Sequence, residues 1–285
     1  MAAIVVVHGI GKQYLRAHTL QAGLAAPLID GVLHAGAEPP GADDIRVAFY
    51  GHWFRPPGSP RKGEPAWTHR DVEQGYETEL LLALWSEAVR TAPDRVPPPE
   101  PGAGSKVVTP QTVQRGLYAL GRLLPARFTD RFLIGILKQV RTYLTDDTVR
   151  ARVQEEIAAA VGPDTRVLVA HSLGSVIAYE ALCAHPAWPV RALVTLGSPL
   201  GIPGLVFDRL NPTPVAGTGS WPDGVRQWTN LCDRGDVGAL TKDLAPLFPG
   251  SVRDVPLRNG WQAHDIVPYL TAAETGAAIA AGLRP

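Results

Sequence analysis

Ser172 sits in Ala170-His171-Ser172-Leu173-Gly174, between the apolar run Arg166-Val167-Leu168-Val169 and the helix-forming run Ser175 to Glu180. A strand that turns straight into a helix holds the residue at the turn in a strained conformation with its side chain presented outward. Small residues two positions to either side admit the close chain approach. The helix that follows points unpaired backbone N–H groups at negative charge developing beside the serine. This is equipment for nucleophilic acyl transfer. A serine hydroxyl is a weak nucleophile at its ordinary pKa, so it needs a base and a third group to orient that base. Downstream lie His185 and His264. His185, in Cys183-Ala184-His185-Pro186, ends the helix after the turn and reads as a terminal or surface residue. His264, in Gly260-Trp261-Gln262-Ala263-His264-Asp265, follows the last strand-like run. For the third group, Cys232-Asp233-Arg234-Gly235-Asp236 offers two carboxylates in one loop. Asp265 adjoins His264, but consecutive side chains diverge and it reads as a helix cap. Asp208 is distant from that strand end.

The residues around Ser172, in their strand-to-helix setting, resemble the nucleophile elbow of the α/β-hydrolase superfamily, with Ala170 where the family's first glycine usually stands. The resemblance implies the chain order serine, acid, histidine, which makes His264 the general base. Asp233 to Asp236 is similar to the Asp-x-x-Asp turn of lipase-like members, which implies Asp236 as the acid, with Asp233 as the alternative. His8-Gly9-Ile10-Gly11 is similar to the family's HG loop and implies an oxyanion hole from the backbone N–H groups of Ile10 and Leu173. His8, Gly9 and Gly11 would then shape that loop, and His171 would pack beneath the elbow. The likeness spans about residues 1–52 and 146–285 and is similar to compact bacterial lipase or esterase members that lack the first two strands of the full sheet. It implies hydrolysis of a carboxylic ester through an acyl-enzyme, with a small acyl ester as substrate and no cofactor. The alternatives are a thioesterase or amidase, or a non-catalytic interaction or regulatory protein on the same scaffold.

Other chemistries find less support. Gly9-Ile10-Gly11-Lys12 lacks the spacing and the Ser/Thr of a phosphate-binding loop. The eight histidines are dispersed, without the tight spacing of a metal site, so no metal is expected. Cys183 and Cys232 read as buried thiols, although a single bridge between them is open. Tyr50-Gly51-His52-Trp53-Phe54 leaves the second strand candidate at the active-site edge. Trp53 and Phe54 could wall a pocket, or pack against the segment that follows.

The elements that must position these groups alternate. Strands are expected at Ile4–Val7, Ile45–Tyr50, Thr165–Ala170, Val190–Leu196, Val225–Cys232 and Val252–Val255, and helices near 14–30, 147–160, 174–185 and 264–282. Most of the strand runs are apolar on both sides of the pleat, as buried parallel strands are. The expected fold is therefore α/β, a mainly parallel sheet flanked by helices. Residues 53–145 break the rhythm and read as a mainly helical cap or lid insertion. Within it lie proline-rich stretches at Pro56–Pro65 and Pro93–Pro110, and helices at Val72–Arg90, Gln111–Leu124 and Phe128–Leu144. Between Lys106 and Arg141 seven basic residues face one acid, Asp130, over an apolar stripe that includes Leu133 and Leu137. That stripe suits either packing on the body or a lid in which Leu133 and Leu137 hold an acyl chain, with peripheral lipid contact.

The chain has 285 residues, 45% hydrophobic and 19% charged, enough for a large core and too apolar for wholesale disorder. Acidic and basic residues number 27 each, so no global field argues for nucleic acid. The start lacks a basic region ahead of a long apolar run, and no run approaches 18 apolar residues. A cytoplasmic protein without a transmembrane segment is expected.

Overall fold

The computed structural model describes residues 2–55, 65–99, 108–123 and 129–284. The proline-rich stretch at 56–64, residues 100–107 of the second linker, and Leu124, Arg127 and Phe128 lie outside the described residues.

Among the described residues six strands form one all-parallel sheet: β1 (Ile4–Val7), β2 (Ile45–Ala48), β3 (Val167–His171), β4 (Ala192–Leu196), β5 (Gln227–Asp233) and β6 (Val252–Leu257), in the order β2-β1-β3-β4-β5-β6. β1, β3 and β4 are buried at every position, which is why their sequences are apolar on both faces. Eight α-helices flank the sheet among the described residues. On one face α1 (Ala17–His34), α7 (Ile266–Thr271) and α8 (Ala273–Leu283) cover Ile4, Val6, Val167, Val169 and Val194. On the other, α5 (Asp147–Ala160) and α6 (Leu173–Ala184) cover Val5, Val7, Leu168 and Leu193. α6 is apolar nearly all round because it is buried all round.

The strand order reverses between β1 and β3. The chain leaves β1 toward α1 on one face and leaves β3 toward α6 on the other. The loops therefore diverge and open a crevice at the carboxyl ends of the two strands, the place where open α/β sheets bind ligands. Register brings Val7 beside Ala170, so the residues after each strand meet there.

The helix expected over 264–282 is two helices. Asp265 caps α7 by accepting from the Val267 N–H at 3.1 Å, and the Thr275 hydroxyl donates to the Tyr269 carbonyl at 2.6 Å, closing that short helix as α8 begins. Helices α2 (Tyr76–Thr91), α3 (Pro110–Gly121) and α4 (Asp130–Thr145) fill the interval between β2 and α5. Leu81, Trp85, Leu117, Ile134, Leu137 and Tyr143 belong to the same apolar cluster as Val5, Val7 and the inner side of α6. The three helices thus share one core with the sheet. No helix among the described residues is long and apolar enough to cross a membrane.

Candidate active site

Ser172 occupies the N-terminal boundary of α6 with φ 53° and ψ −131°, a left-handed conformation that costs a non-glycine residue about 1–3 kcal/mol. A chain of hydrogen bonds holds the turn. The Ser172 N–H donates to the Leu196 carbonyl at 3.0 Å. The Ser175 hydroxyl donates to the Ser172 carbonyl at 2.6 Å, and because it has one proton, the Ser198 hydroxyl must donate to Ser175 Oγ at 2.6 Å. Ser198 in turn accepts from the Leu200 N–H at 3.2 Å. Gly174 is dictated by crowding, since a Cβ there would collide with the carbonyl oxygens of Val7 and His8. A Cβ on Gly9 would lie 2.9 Å from that of Ser172, so the loop after β1 rests directly on the serine.

His264 Nε2 lies 3.0 Å from Ser172 Oγ, and His264 Nδ1 lies 2.7 Å from Asp236 Oδ1. The carboxylate can only accept, so Nδ1 carries the proton and the bare Nε2 accepts from the serine hydroxyl. Asp236 is fully buried, and both of its carboxylate oxygens accept hydrogen bonds. The Gly238 N–H donates to Oδ1 and the Tyr269 hydroxyl donates to Oδ2, each at 2.8 Å. Burial alone would push its carboxyl pKa up; the His264 charge, the hydrogen bonds from His264 and Tyr269, and the Lys242 charge override that and hold it below the usual range. Burial also opposes the His264 cation, yet the Asp236 carboxylate lifts the imidazole above its ordinary value. Asp233 faces elsewhere: its Oδ1 accepts from the Gly235 N–H at 2.6 Å and its Oδ2 from the Asn259 N–H. It organises the loop that Asp236 ends.

The loop has a second brace. The Lys242 ammonium donates to the carbonyls of Asp236 and of Ala239, the latter at 2.6 Å, and pairs with Glu87 of α2 at 3.2 Å. The Asn230 side chain holds the Lys242 carbonyl at 2.9 Å.

His171 donates from Nε2 to the His264 carbonyl at 3.1 Å, tying the elbow to the histidine loop. Burial and the neighbouring His264 push its pKa well down, so it is neutral. His8 is likewise neutral, its pKa lowered to about 4 by burial despite the Gly9 carbonyl, with Lys12 adding to the fall. Its ring stacks on Tyr50 at 4.0 Å, its Nδ1 donates to the Gly9 carbonyl at 2.6 Å, and its carbonyl accepts from the Tyr50 hydroxyl. Leu173 is the first residue of α6, and its N–H is among those a helix start leaves unpaired.

The chain matches no family model, no curated protein and no solved structure.

Among the described residues, the suggested pocket side chains make no hydrogen bond to Ser172, His264 or Asp236. Leu133 and Leu137 are buried at 8% and 1% exposure in the apolar cluster that also holds Val5 and Val7. Sequence periodicity marks a covered helix face without saying what covers it. The polar side of α4 is partly neutralised: Lys138 pairs with Glu77 at 3.3 Å and Arg141 with Glu73 at 2.5 Å. Trp53 donates to Glu156 of α5 at 3.1 Å, and Phe54 packs edge-on to Tyr50. His185 is exposed and stacked on Trp188, and Asp208 accepts from the Gly204 N–H. Cys183 and Cys232 are unbridged thiols whose pKa values burial raises to about 11 and 12. Among the described residues no cluster of three or more metal-ligating side chains occurs.

Sequence reasoning missed Ser175, Ser198, Tyr269, Lys242 and Gln139. Gly197-Ser198-Pro199 carried the signal of a turn at a strand end; the others act through contacts between distant segments.

Proposed function

We propose that the protein is a serine hydrolase of α/β-hydrolase type that cleaves a carboxylic ester. The observation that carries this reading is the continuous relay from Ser172 Oγ to His264 Nε2 at 3.0 Å and from His264 Nδ1 to Asp236 Oδ1 at 2.7 Å, set at strand ends beside a strained serine. In the proposed reaction His264 takes the hydroxyl proton as Ser172 Oγ attacks the ester carbonyl. The carbonyl electron pair moves onto oxygen, where the N–H groups of Leu173 and Ile10 stabilise it. Collapse breaks the bond to the alcohol, which leaves with the proton from His264. Water, deprotonated by the same imidazole, then releases the acid and restores Ser172. Thioesters and amides would follow the same path with other leaving groups. A cytoplasmic location belongs to this proposal; two unbridged thiols fit a reducing compartment.

A non-catalytic interaction role is the second reading, and one observation favours it: Ser172 is only 5% exposed. Against it, the His264 side chain is 30% exposed, so the relay reaches solvent through the imidazole. One experiment decides. A fluorophosphonate probe is expected to label the purified chain at Ser172, with labelling and ester turnover lost in a folded Ser172→Ala variant. Undiminished turnover in that variant would sink the proposal.

A further inference from the structure

The two peptide groups that flank Ile10 are held by side chains from different parts of the chain. His8 Nδ1 donates to the Gly9 carbonyl at 2.6 Å. In a trans peptide the C=O and the following N–H point in opposite directions, so this bond turns the Ile10 N–H away from the His8 ring. The next peptide carries the Gly11 N–H, which donates to Gln139 Oε1 at 3.2 Å. Gln139 comes from α4 and is only 5% exposed. Its Nε2 donates to the Gly135 carbonyl at 3.1 Å, one helical turn back, which fixes which end of the amide meets the loop. Gly11 has φ +76°, and a Cβ there would lie 2.8 Å from the Phe132 ring, also of α4. A glycine on either side of Ile10 leaves the backbone free to rotate both peptides. The loop's orientation is therefore set in part by these two side-chain bonds, one from its own His8 and one from α4.

We propose that Gln139 is a positioning residue for the oxyanion hole: from α4 it locks the Ile10–Gly11 peptide, and through it the Ile10 N–H beside Ser172. The proposal rests on the reading of Ser172 as an acylating nucleophile. On this account the segment between β2 and β3 serves the chemistry by a hydrogen bond to the first loop, in place of the acyl-chain contact suggested by its sequence.

The test compares wild type with Gln139→Leu, which removes the acceptor, and Gln139→Glu, which keeps one. The probes are p-nitrophenyl acetate and a trifluoromethyl ketone. Ser172 adds to the ketone carbon, the carbonyl pair becomes an oxyanion, and His264 holds the proton, so its affinity reports the hole directly. Loss of a direct donor costs about 10²–10³-fold in kcat, and loss of its support is expected to cost roughly 10–100-fold. In Gln139→Leu, kcat should fall by that factor with KM within about twofold, and ketone affinity should weaken in parallel. Exchange of the Gly11 amide proton should accelerate. Gln139→Glu should restore kcat to within a few-fold. A Gln139→Leu protein with wild-type kcat and ketone affinity overturns the proposal. So does a loss that tracks only a lowered melting temperature and is not rescued by Gln139→Glu. If fluorophosphonate fails to label wild-type Ser172, the hydrolase reading falls and takes this proposal with it. A labelled wild type with an unaffected Gln139→Leu removes this proposal alone.

Discussion

At the scale of single residues, the division of labour between two neighbouring aspartates sets what each substitution should do. Asp236 supports His264 as a charge and as an acceptor. The elevated His264 pKa means the base is lost as pH falls through a value above the ordinary 6.5, so kcat/KM should decline on that acid limb. Asp236→Asn removes the group that raises the pKa and leaves the burial that lowers it. The acid limb should therefore move to lower pH, while the plateau rate drops by about 10³–10⁴-fold. Asp233→Asn should leave the limb in place and instead destabilise the fold by about 1–3 kcal/mol, because the amide keeps one acceptor oxygen and its NH2 cannot accept from the other of the Gly235 and Asn259 N–H groups. pH–rate profiles and urea unfolding of both variants check the pair; the reverse ranking would transfer the role to Asp233. Ser172 was legible because a short local pattern places it, while His264 and Asp236 were expected from the chain order and the Asp-x-x-Asp turn that the resemblance implies. Tyr269, which holds the second oxygen of Asp236, was not. A tyrosine in the helix after the histidine has many uses, and only the folded contact selects one.

At the scale of elements, the strands were legible to within a few residues because burial on both faces leaves a continuous apolar record. The single helix read over 264–282 failed, since a polar pair that closes one helix and opens another leaves periodicity almost intact. The orientation of α4 was equally illegible: an apolar stripe is the same sequence feature on a lid and in a core. Here Leu137 is buried in the apolar cluster shared with the sheet, and this sets the expected phenotype of Leu137→Ala. At 1% exposure the truncation should cost about 2–5 kcal/mol of stability. The dependence of kcat/KM on acyl length should keep its wild-type slope. Denaturant unfolding together with an ester series separates the two, and a flattened slope in a fully stable variant would return Leu137 to the pocket. α2 and α4 meet the site at different loops, through Glu87 and Lys242 for the acid and through Gln139 for Gly11. Neither bond is visible in a helical pattern.

At the scale of the whole molecule, two buried neutral histidines link the fold to pH. His8, lowered to about 4, and His171, lowered well below its ordinary value, stay unprotonated in the folded chain while their unfolded counterparts titrate near 6.5. As pH falls below about 6.5 the unfolded state binds protons that the folded state does not, so stability falls, by up to about 1.4 kcal/mol per pH unit for each histidine. His264 acts in the opposite sense: its contribution is complete below the unfolded value and fades as pH rises through the raised one. Urea unfolding between pH 6.5 and 5 should therefore show stability rising with pH, and a flat profile would contradict the neutral state of both rings. The sheet order has a further consequence, for synthesis on the ribosome. β1 lies inside the sheet, and Ile4 pairs with Val167 across the whole intervening segment. At roughly 5–20 residues per second, the nascent chain carries β1 with one side unpaired for about 10–30 s. During that time four consecutive β-branched residues present a bare strand edge to other chains. Helices α2 to α4 emerge in the same interval, and they too await the strand that completes their core. The hazard of misassembly in this chain is thus set by the length of the segment between the second and third strands, and a chaperone that engages early would find its target in the first strand.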